Sequence, residues 1–162
     1  MTLRIGMILG IAAIAALVIA GCGGGGSSTG AGSFVVGLEG GDFVVGGIVL
    51  HFPLGTVGGP VTVFVAPLAP LSTTPLPAAP PTSLTAISAV QLEPAGLTFT
   101  SPFLPTITLP LTVTQTGGAN LTLWVFQSNS WVDSGRKATV SSDGKTAVLQ
   151  IDHFGVYALF VP

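Results

Sequence analysis

Charge is what this chain has least of. Among 162 residues, four are Lys or Arg and six are Asp or Glu, for a net charge of −2. A phosphate backbone is neutralised by clustered Lys and Arg, so nucleic acid is excluded as a partner. The single cysteine, Cys22, rules out an internal disulfide. Two histidines, His51 and His153, and the scattered carboxylates Glu39, Asp42, Glu93, Asp133, Asp143 and Asp152 show no zinc or calcium spacing. No metal or cofactor is therefore expected. Nothing marks a carboxylate pair for glycoside chemistry. The glycine-rich stretches Gly23–Gly26 and Gly37–Gly47 lack the Lys and the strand-to-helix setting of a phosphate loop. There is no G-x-S-x-G elbow, and no window beyond the first twenty residues has helical periodicity with caps.

What the chain does have begins with an apolar run. Met1–Gly6 carries one positive charge, Arg4, and Met7–Ala20 carries none. A spanning helix needs about 20 apolar residues, so this shorter run reads as the hydrophobic region of a signal peptide, with an uncleaved anchor as the alternative. The run closes on Val18-Ile19-Ala20-Gly21-Cys22, which resembles the lipobox of bacterial lipoproteins. The resemblance implies cleavage before Cys22 and acylation of its thiol, which would hold the mature protein on a membrane of the cell envelope. Several acyl chains anchor stably where one is marginal. Residues 1–21 are then a signal helix and 22–32 a lipidated cysteine with a Gly/Ser tether. Its ten residues Gly23–Gly32 have an end-to-end distance of roughly 15–20 Å. Residues 33–162 form one domain, long enough to bury a core without disulfides.

The pattern after Ser33 is β throughout. Val61–Val65 and Thr106–Thr114 alternate apolar and small polar residues. In the second run Ile107, Leu109, Leu111 and Val113 are expected to point inward, and Pro110, without an N–H, to mark an edge strand or a bulge. Leu121–Phe126 and Trp131–Asp133 flank a hairpin turn at Gln127–Ser130. Lys137–Val140 and Thr146–Ile151 flank another at Ser141–Gly144, where Asp143-Gly144 is a leading hairpin pair because both tolerate positive φ. Val156–Val161, apolar on both faces, reads as a central strand. Ala66–Pro81 holds six of the thirteen prolines and reads as an extended loop. It serves either as a stiff connection or as an element that docks an aromatic-lined groove on a partner.

Three segments resemble the ZU-five domain, the β-sandwich of ankyrins and netrin receptors. They are Gly40–Gly55, ending His51-Phe52-Pro53-Leu54-Gly55; Val90–Phe103, with Leu92-Glu93-Pro94-Ala95-Gly96; and Leu123–Trp131 together with His153-Phe154-Gly155-Val156-Tyr157. The likeness covers Phe43–Val161. It implies an antiparallel β-sandwich used mainly for protein contacts. Some members of that family cut themselves with a serine hydroxyl at the position of Gly155, so here that nucleophile is missing.

The remaining candidates are few. Asp152 and His153 are a base and its orienter by type, but neighbours on a strand face opposite ways and are not expected to meet. The expected role of His153 is a structural hydrogen bond at the start of the last strand, with Phe154 plugging the end of the sandwich. Gly155 reads as a position needing room or positive φ. Trp124, Phe126 and Trp131 flank one hairpin and are candidate partner contacts, or a stacking platform for sugars if exposed; the competing role is core. The expectation is a non-catalytic, lipid-anchored envelope protein serving as a protein-binding or structural module for an unidentified protein partner. A carbohydrate-binding module and an enzyme with an unrecognised site are the alternatives.

Overall fold

The computed structural model describes residues 30–100 and 102–162. The signal helix, the lipobox with Cys22 and the tether up to residue 29 lie outside the described residues. Ten strands follow one another: β1 (Gly32–Val36), β2 (Gly41–Val45), β3 (Ile48–Phe52), β4 (Val61–Pro67), β5 (Thr85–Glu93), β6 (Thr106–Pro110), β7 (Asn120–Gln127), β8 (Ser130–Val140), β9 (Thr146–Gln150) and β10 (Val156–Val161). Among the described residues there is no helix, and so none long and apolar enough to cross a membrane.

The all-β expectation is met, but the strands do not hydrogen-bond as two sheets. They form one antiparallel sheet in the order β1-β4-β5-β10-β7-β8-β9-β6-β3-β2, nearly closed and barrel-like. The two edge strands, β1 and β2, face each other across the seam, where Phe34 and Phe43 stack with ring centroids 4.0 Å apart. Alternation fills the interior. Ile48, Leu50 and Phe52 of β3, Ile107 and Leu109 of β6, and Tyr157 and Leu159 of β10 are all buried. Apolar side chains thus point in and threonines out, the reverse of a transmembrane barrel with its polar lumen.

Both expected hairpins form. Gln127 pairs with Ser130, leaving Ser128 (φ 49°) and Asn129 (φ 63°) as a two-residue turn with positive φ at both positions. In the second turn only Gly144 is left-handed (φ 71°). Asp143 works through its side chain instead, accepting from Ser141 Oγ (2.6 Å) and Lys145 N (3.0 Å). These bonds, the Ser141 hydroxyl first, hold its carboxyl below the ordinary range.

The run from Thr106 departs from expectation at Pro110. β6 is not an edge strand; it lies between β9 and β3. Its pairing with β3 ends at Val49–Thr108, and Leu111 N donates to Lys145 O on the β9 side. Bonding sides alternate along a strand, so the nitrogen of Pro110 faces the side where β3 no longer reaches. Beyond it the chain leaves the ladder. A bulge at Leu159/Phe160 opposite β5 takes Ile87 out of register, and Ile87 O accepts both the N–H (3.0 Å) and the hydroxyl (3.1 Å) of Thr112. Val113, expected inside, is consequently 51% exposed.

Candidate functional site

Two groupings bring together the side chains that could carry function. The first lies outside the barrel. In β10, Tyr157 and Leu159 point inward, which turns Val156, Ala158 and Phe160 outward. Beside them stand Trp124 and Phe126 of β7 and Trp131 of β8. The rings meet edge to face: Trp131–Phe160 at 5.2 Å, Phe126–Trp131 at 5.4 Å and Trp124–Phe160 at 5.9 Å. This second apolar cluster is roofed by the proline-rich segment. Ala66 and Pro67 belong to β4, and the chain from Leu68 to Leu84 then crosses the outer face of the sheet. Leu68 is buried, and Leu76, Ala78 and Leu84 pack on the aromatic rings. Trp131 Nε1–H donates to Ala78 O at 3.2 Å.

Of the roles open to the hairpin aromatics, an exposed platform for sugars is not what the structure shows. Trp131 is only 8% exposed, while Trp124 and Phe126 are half-buried. The proline-rich segment, expected to be either a stiff connection or an element for a partner's aromatic-lined groove, lies on an aromatic groove of its own chain.

The second grouping is polar and sits near the start of β10. The segment 151–155 is not extended strand, so Asp152 and His153 are free of the strand's alternation and do meet: His153 Nδ1 lies 2.7 Å from Asp152 Oδ1. Arg136 Nη2 donates to Asp152 Oδ2 at 2.6 Å. Burial alone would raise the pKa of Asp152, but the His153 hydrogen bond and the Arg136 hydrogen bond and charge outweigh it and hold the carboxyl below its ordinary value. Tyr157 O–H donates to His153 O at 2.7 Å. These four residues line a small cleft of about 180 Å³ with Ser134 and Asp133.

Ser134, a hydroxyl beside a His–Asp pair, is not held as a nucleophile. It donates to Leu123 O of β7 (2.7 Å) and accepts from Arg136 N of its own strand (3.2 Å), which commits the hydroxyl to the backbone. The backbone makes the same segment a fastening point: Phe99 N donates to Asp152 O, Gly96 N to Phe154 O and Leu92 N to Gly155 O. Phe154 packs edge-on against Phe99 (5.1 Å) and Phe52 (6.2 Å), closing that end of the core. Gly155 is not among the residues with positive φ, and a Cβ built there comes no nearer than 3.9 Å, to His153 Cδ2. The glycine is thus not required by the backbone.

His51 is remote from this cluster and pairs with Asp42 across β2 and β3 at 2.6 Å, both well exposed. Among the described residues no three His, Cys, Asp or Glu side chains converge as a metal site would need. Sequence reasoning missed Phe160 and the Arg136–Asp152 bond. The first had a trace, since β10 is apolar on the face that turns away from the core; the second had none, because β8 and the 151–155 turn meet only through the sheet. No family model matches the chain, and no curated protein was found to be similar to it.

Proposed function

We propose that this protein is a lipid-anchored lipoprotein of the bacterial cell envelope, a non-catalytic module for protein contacts held outside the cytoplasm by acylated Cys22. The observation that carries the reading is positional. The chain's one cysteine directly follows Val18-Ile19-Ala20-Gly21 at the end of a charge-free run, and nine small residues separate it from the first strand. Two facts support the absence of catalysis. Gly155 stands where a self-cleaving relative of the ZU-five family would carry serine, and the Ser134 hydroxyl is committed to Leu123 O. The finer reading of the sheet as a ZU-five-like sandwich is supported by β8, which is long and is bulged against β7 around Gly135 (φ 72°), an irregularity of the kind that lets a sheet fold over into two layers.

Fatty-acid labelling tests the anchor. Wild type should incorporate label, and Cys22→Ala should incorporate none and accumulate as unprocessed precursor. Equal labelling of the two would refute the anchor.

A further inference from the structure

The segment that covers the aromatic face is laid out as a bound peptide is. From Leu76 to Pro80 its exposure alternates: Leu76, Ala78 and Pro80 are half-buried, and Pro77 and Ala79 are exposed. Of these, Leu76 and Ala78 pack against the cluster that holds Trp131 and Phe160. Among the described residues the one hydrogen bond made by residues 75–80 comes from the indole of Trp131 to Ala78 O. A tryptophan N–H on a carbonyl, beside an aromatic groove that takes up Leu76 and Ala78 while Pro75 and Pro77 stay exposed, is a chemistry by which an extended peptide is recognised. The ends of the cover have hydrogen bonds of their own. Leu68 N donates to Ala89 O, Ser72 Oγ to Pro67 O and Ala69 N to Thr74 O on one side, and Leu84 N to Pro81 O on the other.

We propose that the face formed by Trp124, Phe126, Trp131 and Phe160 is a binding groove for an extended, uncharged, proline- and alanine-rich segment of a partner protein, and that residues 75–80 occupy it in cis as a displaceable cover. This rests on the protein-contact reading above and names the partner's chemistry. The cis segment has the advantage of tethering at both ends, an effective concentration on the order of millimolar. A partner must outcompete it with a longer or better-fitting run, so the groove is closed until such a partner is present. Proline-rich ligands suit the task because their extended conformation is largely preformed and costs little entropy to bind.

The probe is a dye-labelled ten-residue peptide with the chain's own sequence from Thr74 to Ser83, and binding is read by fluorescence anisotropy on the full-length chain. Wild type should bind weakly. A variant in which residues 74–82 are replaced by a short Gly/Ser linker should bind at least about tenfold more tightly, the competing cis segment being gone. Adding Trp131→Phe to that variant keeps a ring but removes the donor, and should weaken binding about fivefold. A peptide with its prolines changed to glycine should bind less well than the parent.

No binding by the shortened variant, shown folded by a cooperative melt, overturns the proposal. If that variant does not fold, elastase nicking of wild type after Ala78 opens the cover without removing a residue. Nicked, folded protein that fails to bind overturns the proposal equally, as does resistance of the whole segment to elastase. A dimer in light scattering that exchanges covers between copies would assign the groove to a second copy and overturn the partner stated here. None of these readouts involves Cys22, so failure of the groove and failure of the anchor are told apart.

Discussion

Replacing Tyr157 by Phe should make the protein less stable at neutral pH and relatively more stable in strong alkali. Tyr157 is the chain's only tyrosine and is 2% exposed at the core end of the Asp152–His153 cleft. Burial, and after it the negative charge of Asp152, push its phenol well above the ordinary value of 10.0, with Arg136 offsetting a little. A group whose folded pKa is raised contributes stability that is complete below its unfolded pKa and is lost as pH rises toward the folded one. Between pH 10 and the native value the unfolded state has released a proton that the native state keeps. Unfolding therefore becomes easier by about 1.4 kcal/mol per pH unit.

At neutral pH, Tyr157→Phe loses the hydrogen bond to His153 O, a net cost of about 0.5–1.5 kcal/mol. The variant has no phenol to ionise, so it escapes the alkaline loss. The two stability curves should converge above pH 10 and cross near about pH 11, where the ionisation loss of about 1.4 kcal/mol matches the missing bond. Urea unfolding of both proteins at about pH 8, 10 and 11 gives the difference, from which other groups that titrate in this range cancel. The near-ultraviolet absorbance of tyrosinate reports the same residue directly, there being no other tyrosine. A gap that stays constant across that range, or tyrosinate appearing near pH 10 in protein that is still native, would refute the reasoning.

Ser88 is fully buried, and its hydroxyl has no partner among the described residues; Ser88→Ala should raise stability by about 1 kcal/mol in urea unfolding, whereas a loss would mean that the hydroxyl is satisfied. A chain beginning at Gly30 retains all of β1 and should fold alone, with a β-type dichroism spectrum and one cooperative melt indifferent to reductant, because no disulfide can form; a helical spectrum or no transition would count against the fold. The wild-type chain should remain uncut at His153-Phe154-Gly155 on long incubation, since Gly155 offers no nucleophile and the next residue is Val156. Gly155→Ser should fold normally given the room around a Cβ there, and intact-mass spectrometry of both proteins decides whether any fragment begins at residue 155.

The elements whose side chains alternate over a half-buried surface were legible one by one. Val61–Val65, Ile107 and Leu109, Thr146–Gln150 and the hairpin around Ser128-Asn129 all follow from period two and from turn chemistry. Their assembly was not legible, because alternation says which face is wet and not which strand is the neighbour. Sheet closure depends on β1 meeting β2 through Phe34 and Phe43, a pair nine residues apart whose spacing carries no signal of stacking. The error at Asp152 and His153 has a similar cause. Opposite facing holds only for extended backbone, and the irregular segment 151–155 before β10 lets Asp152 bond both His153 and Arg136.

The aromatic face is the least legible part of the sequence, because its two halves lie 53 residues apart where Trp131 meets Ala78. Trp124, Phe126 and Trp131 ask for burial and the proline-rich stretch for an aromatic surface, and nothing in their spacing says that each meets the other's need. A strand apolar on both faces in a one-sheet protein must have something over its outer side, or leave an apolar patch that soluble monomers seldom expose. The core fills the inner side of β10 through Tyr157 and Leu159, so Phe160 and Ala158 need a second layer. Among the described residues no helix exists to supply it. The segment between β4 and β5 starts and ends beside that face, since β5 pairs with β10 and Leu68 N bonds Ala89 O. It is long enough to cross the face and apolar enough to stay. A cover recruited in this way costs the chain no additional secondary structure, and between its ends residues 75–80 are held to the rings by one hydrogen bond and by Leu76 and Ala78. That is the arrangement expected of a contact that can be exchanged for a better one.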